Sequence, residues 1–191
     1  MPHTKTVIME IKITIRQTLN VLLVLSWLLF TGLCIEAGGF IANAIFAIAN
    51  PGIVTHLWQQ VDLSALFQHD HGYFFVVTLL LSIVAVMKAW LFFLIVKMLY
   101  KKDLDMALPF SDKVRRFLFL SSYITLVIGL FCWYGVKYTE WLVGKGIKMP
   151  DTQYLRLGGA DVWLFMAVVL FIIAQIFKRG IEIQSENELT V

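Results

Sequence analysis

The chain has 191 residues, of which 59% are hydrophobic and only 15% charged, and its formal net charge at pH 7 is +3. Its mean hydropathy is +0.78. A water-soluble fold is excluded, because a domain of this size leaves too much surface exposed to hide so many apolar side chains. The composition therefore predicts an all-α polytopic membrane protein. The basic residues lie beside the apolar runs, which indicates a role in topology, and we expect no direct contact with nucleic acid.

Four apolar runs are long enough to cross a bilayer as helices, which takes about 20 residues at a rise of about 1.5 Å each. They cover approximately residues 17-35, 73-100, 117-141 and 160-177. Together they predict one membrane domain, residues 1-191, folded as a four-transmembrane-helix bundle. The lipid bilayer is then its first partner.

The first connection, residues 36-72, is the largest segment predicted outside the membrane. Its apolar stretch 38-49 is too short to cross alone, so it either extends the first helix or lies at the interface. Asn50-Pro51-Gly52 then predicts a turn. The interrupted apolar residues between 53 and 72 favour a short helix lying on the bilayer.

The later connections carry start and stop signals. In the loop 101-116, Pro109-Phe110 ends the preceding structure and Ser111 is a suitable N-cap for the third span. Residues 139-156 are predicted to form a short polar loop. Lys178-Arg179-Gly180 predicts the end of the fourth span, and the tail 178-191 follows it.

The distribution of Lys and Arg predicts the orientation of the bundle. Eleven of them lie at the two termini and the middle connection, and four (Lys137, Lys145, Lys148 and Arg156) lie on the other side. By the positive-inside rule both termini face the cytoplasm (N-in/C-in), as four spans require. We therefore expect a multi-pass protein of the bacterial cytoplasmic (inner) membrane.

Lys88 is the charged residue near the middle of the second span. A charge at that depth costs a few kcal/mol and usually faces inward to a partner. Glu36, at the outer end of the first span, is the first expected partner, and Asp161 and Glu140 come next. The alternative is a lysine whose flexible stem lifts its amine toward the surface without functional consequence.

Three histidines in the first outer segment, His56, His69 and His71, raise the alternative of a metal site, because imidazole suits zinc or copper. Solvated loop histidines explain the same pattern equally simply. The sequence contains no phosphate-binding glycine loop, HExxH or nucleophile elbow. We expect no cofactor, no catalytic residues and no enzyme activity.

Two motifs near the predicted cytoplasmic side carry a family resemblance. The connection contains Leu108-Pro109-Phe110-Ser111 before Arg115-Arg116, and the chain ends in FKRGIEIQSENELTV. In these features the chain resembles a bacterial family of small four-helix membrane proteins of unknown function, whose members are often encoded beside a small helix-turn-helix regulator. The resemblance implies a cytoplasmic transcriptional regulator as partner, and no catalytic residue. The expected partner-binding residues of the tail are Ile183, Glu186, Asn187, Leu189, Thr190 and Val191.

These observations favour a non-enzymatic sensing or regulatory subunit that takes part in signalling. The alternative is a transport, carrier or immunity-type protein that binds a small molecule, peptide or lipid in the bundle, with Lys88 as its polar contact. A transporter would normally show more intramembrane polar groups, unless the protein forms a homo-oligomer.

Overall fold

The computed structural model describes residues 15–50, 62–101 and 110–188, and within these ranges the chain forms five helices and no strand. The helices are α1 (Ile15–Ala49), α2 (Ser64–His69), α3 (His71–Tyr100), α4 (Asp112–Gly144) and α5 (Ala160–Glu188). All but α2 are long and apolar enough to cross a membrane. The predicted all-α, four-helix membrane bundle is confirmed, and the protein is a multi-pass membrane protein.

Helix α1 passes through residues 38–49 without a break, so this stretch extends the first helix and does not form a separate interfacial segment. The helix has 35 residues, about 52 Å at helical rise, which exceeds the roughly 30 Å of hydrocarbon. Two adjacent glycines cost only about 1 kcal/mol each in a helix. Packing of the helix outweighs that cost, because one face of its second half is buried at helical spacing. That face consists of Ala37, Phe40, Ala44 and Ala47.

The long helices are arranged as two antiparallel pairs. Helix α1 packs along α3, α5 packs along α4, and the contact between α3 and α4 joins the pairs. We call the end of the bundle that carries Lys97, Lys101, Arg115, Arg116 and Lys178 the basic end. A small core cluster lies there, and the main core lies toward the opposite end.

The described part of the first connection packs on the bundle. Leu66 of α2 is fully buried, Leu63 is nearly so, and both belong to the main core. The short helix predicted in this connection is present as α2, and its Leu66 side chain faces the bundle. Asp70 separates α2 from α3, and its side chain accepts a hydrogen bond of 2.9 Å from the backbone N–H of Tyr73.

At the basic end one predicted boundary is confirmed and one is wrong. Ser111 caps α4, with its Oγ accepting from the Val114 N–H at 3.4 Å. Gly180, in contrast, does not end the last helix, which continues to Glu188. An isolated glycine is tolerated in a helix when packing compensates. Here the Phe110 ring lies over Gly180, where a Cβ atom would come within 2.5 Å of that ring.

Candidate functional site

Lys88 lies on the inner side of α3, at a depth where a charge is costly. Nine residues separate it from Lys97, which corresponds to roughly 13 Å of helix. Its helix neighbours Leu81, Val84 and Ala85 are buried in the core. The side chain itself is half-buried, so the surroundings of the amine determine whether the charge is stabilised.

The segment between α4 and α5 provides those surroundings, and its structure differs from the predicted polar loop. Residues 145–159 fold back against the bundle, and Leu155 and Leu157 are 0% and 1% exposed. Leu157 reaches the level of Gly135, nine residues before the end of α4, where a Cβ atom would lie 2.9 Å from its Cδ1. Non-helical backbone at membrane depth is found where it is buried in protein or lines a cavity. The fold-back segment meets this condition.

Arg156 connects the fold-back segment to both α1 and α3. Its backbone carbonyl accepts a hydrogen bond of 3.1 Å from Lys88 Nζ, and its Nε lies 3.0 Å from Glu36 Oε1. Its φ is 57°, a left-handed conformation that costs a non-glycine residue roughly 1 kcal/mol. Tertiary contacts therefore hold this residue. Lys88 and Glu36, which were expected to pair directly, each contact Arg156.

A cavity of about 160 Å³ lies among these groups. Trp163 of α5 forms one wall, and its ring centroid is 5.5 Å from Lys88 Nζ, within the range of a cation–π contact. The remaining walls come from α1, α3 and the fold-back segment and are mainly apolar. They include Leu33, Phe40, Leu81, Val84, Phe92 and Leu155. Among the residues that the structure describes, the charged groups on the cavity are Lys88, Arg156 and Glu36.

The formal charges on this cavity do not balance. Two cationic side chains, Lys88 and Arg156, face one carboxylate, that of Glu36. The Glu36 side chain is 10% exposed, whereas the Arg156 side chain is 58% exposed. Chemically, the arrangement provides hydrogen-bond donors and positive charge beside an apolar surface.

The other acids expected near Lys88 lie elsewhere. Glu140 forms an exposed ion pair of 2.8 Å with Lys137, one turn earlier on α4. Asp161 is an exposed residue in the first turn of α5. Of the three predicted acids, Glu36 is the one that lines the cavity with Lys88.

The histidines that raised the metal alternative lie at the α2–α3 junction. The His71 ring is 4.5 Å from Phe67, and the His69 ring is 6.4 Å from Tyr73. Within 15–50, 62–101 and 110–188, no group of three His, Cys, Asp or Glu side chains is placed to hold a metal ion. His56 lies outside the described residues.

At the basic end, the two motifs that carry the family resemblance touch each other. The Phe110 ring packs on Gly180 and lies 5.3 Å from the Phe177 ring. Beyond this contact α5 exposes Ile183 and Glu186, and the backbone of Asn187 is helical. The remaining predicted tail residues, Leu189, Thr190 and Val191, lie outside the described residues.

Two residues of the cavity, Arg156 and Trp163, were not expected there from the sequence. Trp163 was assigned only to the start of the last span, and Arg156 only to the outer loop. One signal was available, since two apolar residues, Leu155 and Leu157, flank Arg156. Such alternation is typical of a segment with one buried face.

Comparisons with family models, with curated proteins and with solved structures gave no match for this chain. The geometry of the cavity and of the basic end is the basis for the proposals that follow.

Proposed function

We propose that this protein is a non-enzymatic sensing or regulatory subunit of the bacterial cytoplasmic membrane. Its basic end faces the cytoplasm and binds a soluble regulator of the helix-turn-helix class. The observation that carries the proposal is the contact of Phe110 with Gly180 and Phe177. This contact joins the middle connection and the carboxyl-terminal helix into one surface, which a single partner can bind.

The extension of α5 has a charge suited to such a partner. After Arg179 the chain contains Glu182, Glu186 and Glu188 and no further basic residue. Glu182 and Glu186 are four residues apart, so they lie on the same side of the helix. Regulators that bind DNA are basic on their binding surface, and opposite charge promotes association and orientation. The exposed Ile183 adds an apolar contact beside these acids.

The orientation is tested first, because the proposal requires a cytoplasmic basic end. Reporter fusions after Lys102 and after Val191 are expected to read cytoplasmic, and fusions after Gln60 and after Lys148 extracytoplasmic. The expectation rests on the excess of Lys and Arg at the basic end. A cytoplasmic signal after Gln60 would contradict the four-span topology, and a periplasmic signal after Val191 would contradict the proposed partner.

Partner binding is tested by site-specific photo-crosslinking in cells. A photoreactive residue at Ile183 is expected to form an adduct with a helix-turn-helix protein, identified by mass spectrometry. The same residue at Tyr154, which is 76% exposed in the segment between α4 and α5, serves as the matched control and should not form it. Deleting residues 184–191 should abolish the Ile183 adduct while membrane insertion persists, because every span precedes the deletion. The proposal is refuted if no adduct at Ile183 contains a DNA-binding protein. It is also refuted if deleting residues 184–191 leaves the Ile183 adduct unchanged.

A further inference from the structure

We propose that the cavity beside Lys88 binds a small apolar monocarboxylate, with the carboxylate between Lys88 and Arg156 and the apolar body against Trp163 and the aliphatic wall. This ligand site is distinct from the proposed partner surface and does not depend on it. Lys88 and Gly180 are at different levels of the bundle, one beside the fold-back segment and the other at the basic end.

The charge and the donors of the cavity define the ligand's polar group. With Lys88 and Arg156 both cationic and Glu36 ionised, the cavity has one positive charge in excess, which a singly charged anion neutralises. An ammonium has three donors, and the Arg156 carbonyl accepts one from Lys88. A guanidinium has five, and its Nε lies 3.0 Å from Glu36 Oε1 in the ion pair. The remaining donors suit a carboxylate, which accepts several charge-assisted hydrogen bonds.

The size and the walls of the cavity define the rest of the ligand. An apolar cavity of about 150 Å³ accommodates benzene. The present cavity, at about 160 Å³, has room for a group of that size. Its aromatic and aliphatic walls match ordinary ligand sites, in which apolar surface surrounds a few polar groups. Benzoate and hexanoate have the required combination of one negative charge and a compact apolar body.

Replacing Glu36 is expected to change the ligand affinity in the opposite direction from replacing Lys88. Its carboxylate occupies Arg156 and adds negative charge beside the anion site. Glu36→Gln removes that charge at nearly constant side-chain size, so it should tighten the binding of an anion. Lys88→Met removes a cation at nearly constant side-chain length and should weaken binding. Damage to the fold would weaken binding in both variants, so opposite effects cannot arise from unfolding.

The experiment measures the binding of benzoate and of hexanoate to the purified full chain in an uncharged detergent, by calorimetry and by tryptophan fluorescence. We expect saturable binding of at least one of them, and no competition from benzamide or hexanamide, which lack the charge. Lys88→Met should lose at least about tenfold in affinity, the scale of a hydrogen bond to a charged group. Glu36→Gln should gain affinity several-fold.

The matched control is Lys137→Met, which removes an exposed lysine of α4 that is paired with Glu140 outside the cavity. It should bind the carboxylate as the parent protein does. The proposal is overturned if neither carboxylate binds saturably, if the amides compete equally, or if Lys88→Met and Lys137→Met bind alike. It is also overturned if Glu36→Gln weakens binding.

Discussion

The ion pair between Glu36 and Arg156 should respond asymmetrically to the loss of its two members. The Glu36 side chain is 10% exposed, whereas the Arg156 side chain is 58% exposed and reaches solvent more readily. Replacing Arg156 with Gln leaves a buried carboxylate without its guanidinium. Replacing Glu36 with Gln leaves a guanidinium that is already more than half exposed. The more exposed member of the pair is therefore the more damaging one to remove.

The expected magnitudes follow from this difference in burial. Stranding a fully buried charge costs about 3–5 kcal/mol. Because Lys88 lies on the same cavity as Glu36 and compensates in part, we expect Arg156→Gln to lower the free energy of unfolding by about 2 kcal/mol. Glu36→Gln should cost less than about 1 kcal/mol, because the guanidinium that it leaves unpaired is more than half exposed. The double variant should cost less than the sum, with a coupling free energy of about 1 kcal/mol.

The assay is reversible unfolding in mixed micelles by titration with a denaturing detergent, followed by far-UV circular dichroism. The pair Lys137–Glu140 provides the control cycle, since both its side chains are more than half exposed at a separation of 2.8 Å. Its coupling should not exceed about 0.5 kcal/mol. Equal costs for Arg156→Gln and Glu36→Gln, or strictly additive effects, would refute the assignment of the buried pair.

Two further predictions concern packing and capping. Gly129→Ala should lower the free energy of unfolding by about 1–2 kcal/mol, because the new Cβ would lie 2.8 Å from Leu164 Cγ and 3.1 Å from its backbone N. Gly32→Ala on α1 is the control, because a Cβ atom there would have nothing within 4 Å, and it should be neutral or stabilising by up to about 1 kcal/mol. Equal effects of the two substitutions in the same unfolding assay would contradict the close α4–α5 contact. Asp70→Ala should cost about 1 kcal/mol by removing the 2.9 Å bond to the Tyr73 N–H, and Asp70→Asn should recover most of it. If both Asp70 variants lose the same stability by circular dichroism, the cap is not the cause.

The features predicted correctly from the sequence are those that local pattern determines. Runs of about 20 apolar residues give the four spans, and a serine before a charged turn gives the N-cap of α4 at Ser111. The polar environment of Lys88 was also expected, since a mid-membrane ammonium needs acceptors.

The features that were missed depend on contacts between residues far apart in the chain. Lys88 and Arg156 are 68 residues apart, and the alternation of Leu155 and Leu157 indicates a buried face without indicating that this face packs on α3. The extension of α5 past Gly180 depends likewise on Phe110, seventy residues earlier. Helix propensity alone predicts that a helix ends at such a glycine, and here tertiary packing overrides that propensity.

The fold-back of residues 145–159, which brings Arg156 to Lys88, is most directly tested by cysteine accessibility. In a background in which Cys34 and Cys132 are replaced by alanine, single cysteines are placed at Tyr154, Leu155 and Leu157 and treated with a membrane-impermeant maleimide. Tyr154 is 76% exposed, whereas Leu155 and Leu157 are 0% and 1% exposed.

We expect the cysteine at 154 to react at the rate of an exposed thiol, and those at 155 and 157 to react more than about tenfold more slowly until the protein is denatured. This alternation is the signature of a segment folded into the bundle. Similar rates at all three positions in the native protein would show a solvated loop and would contradict the cavity at Lys88.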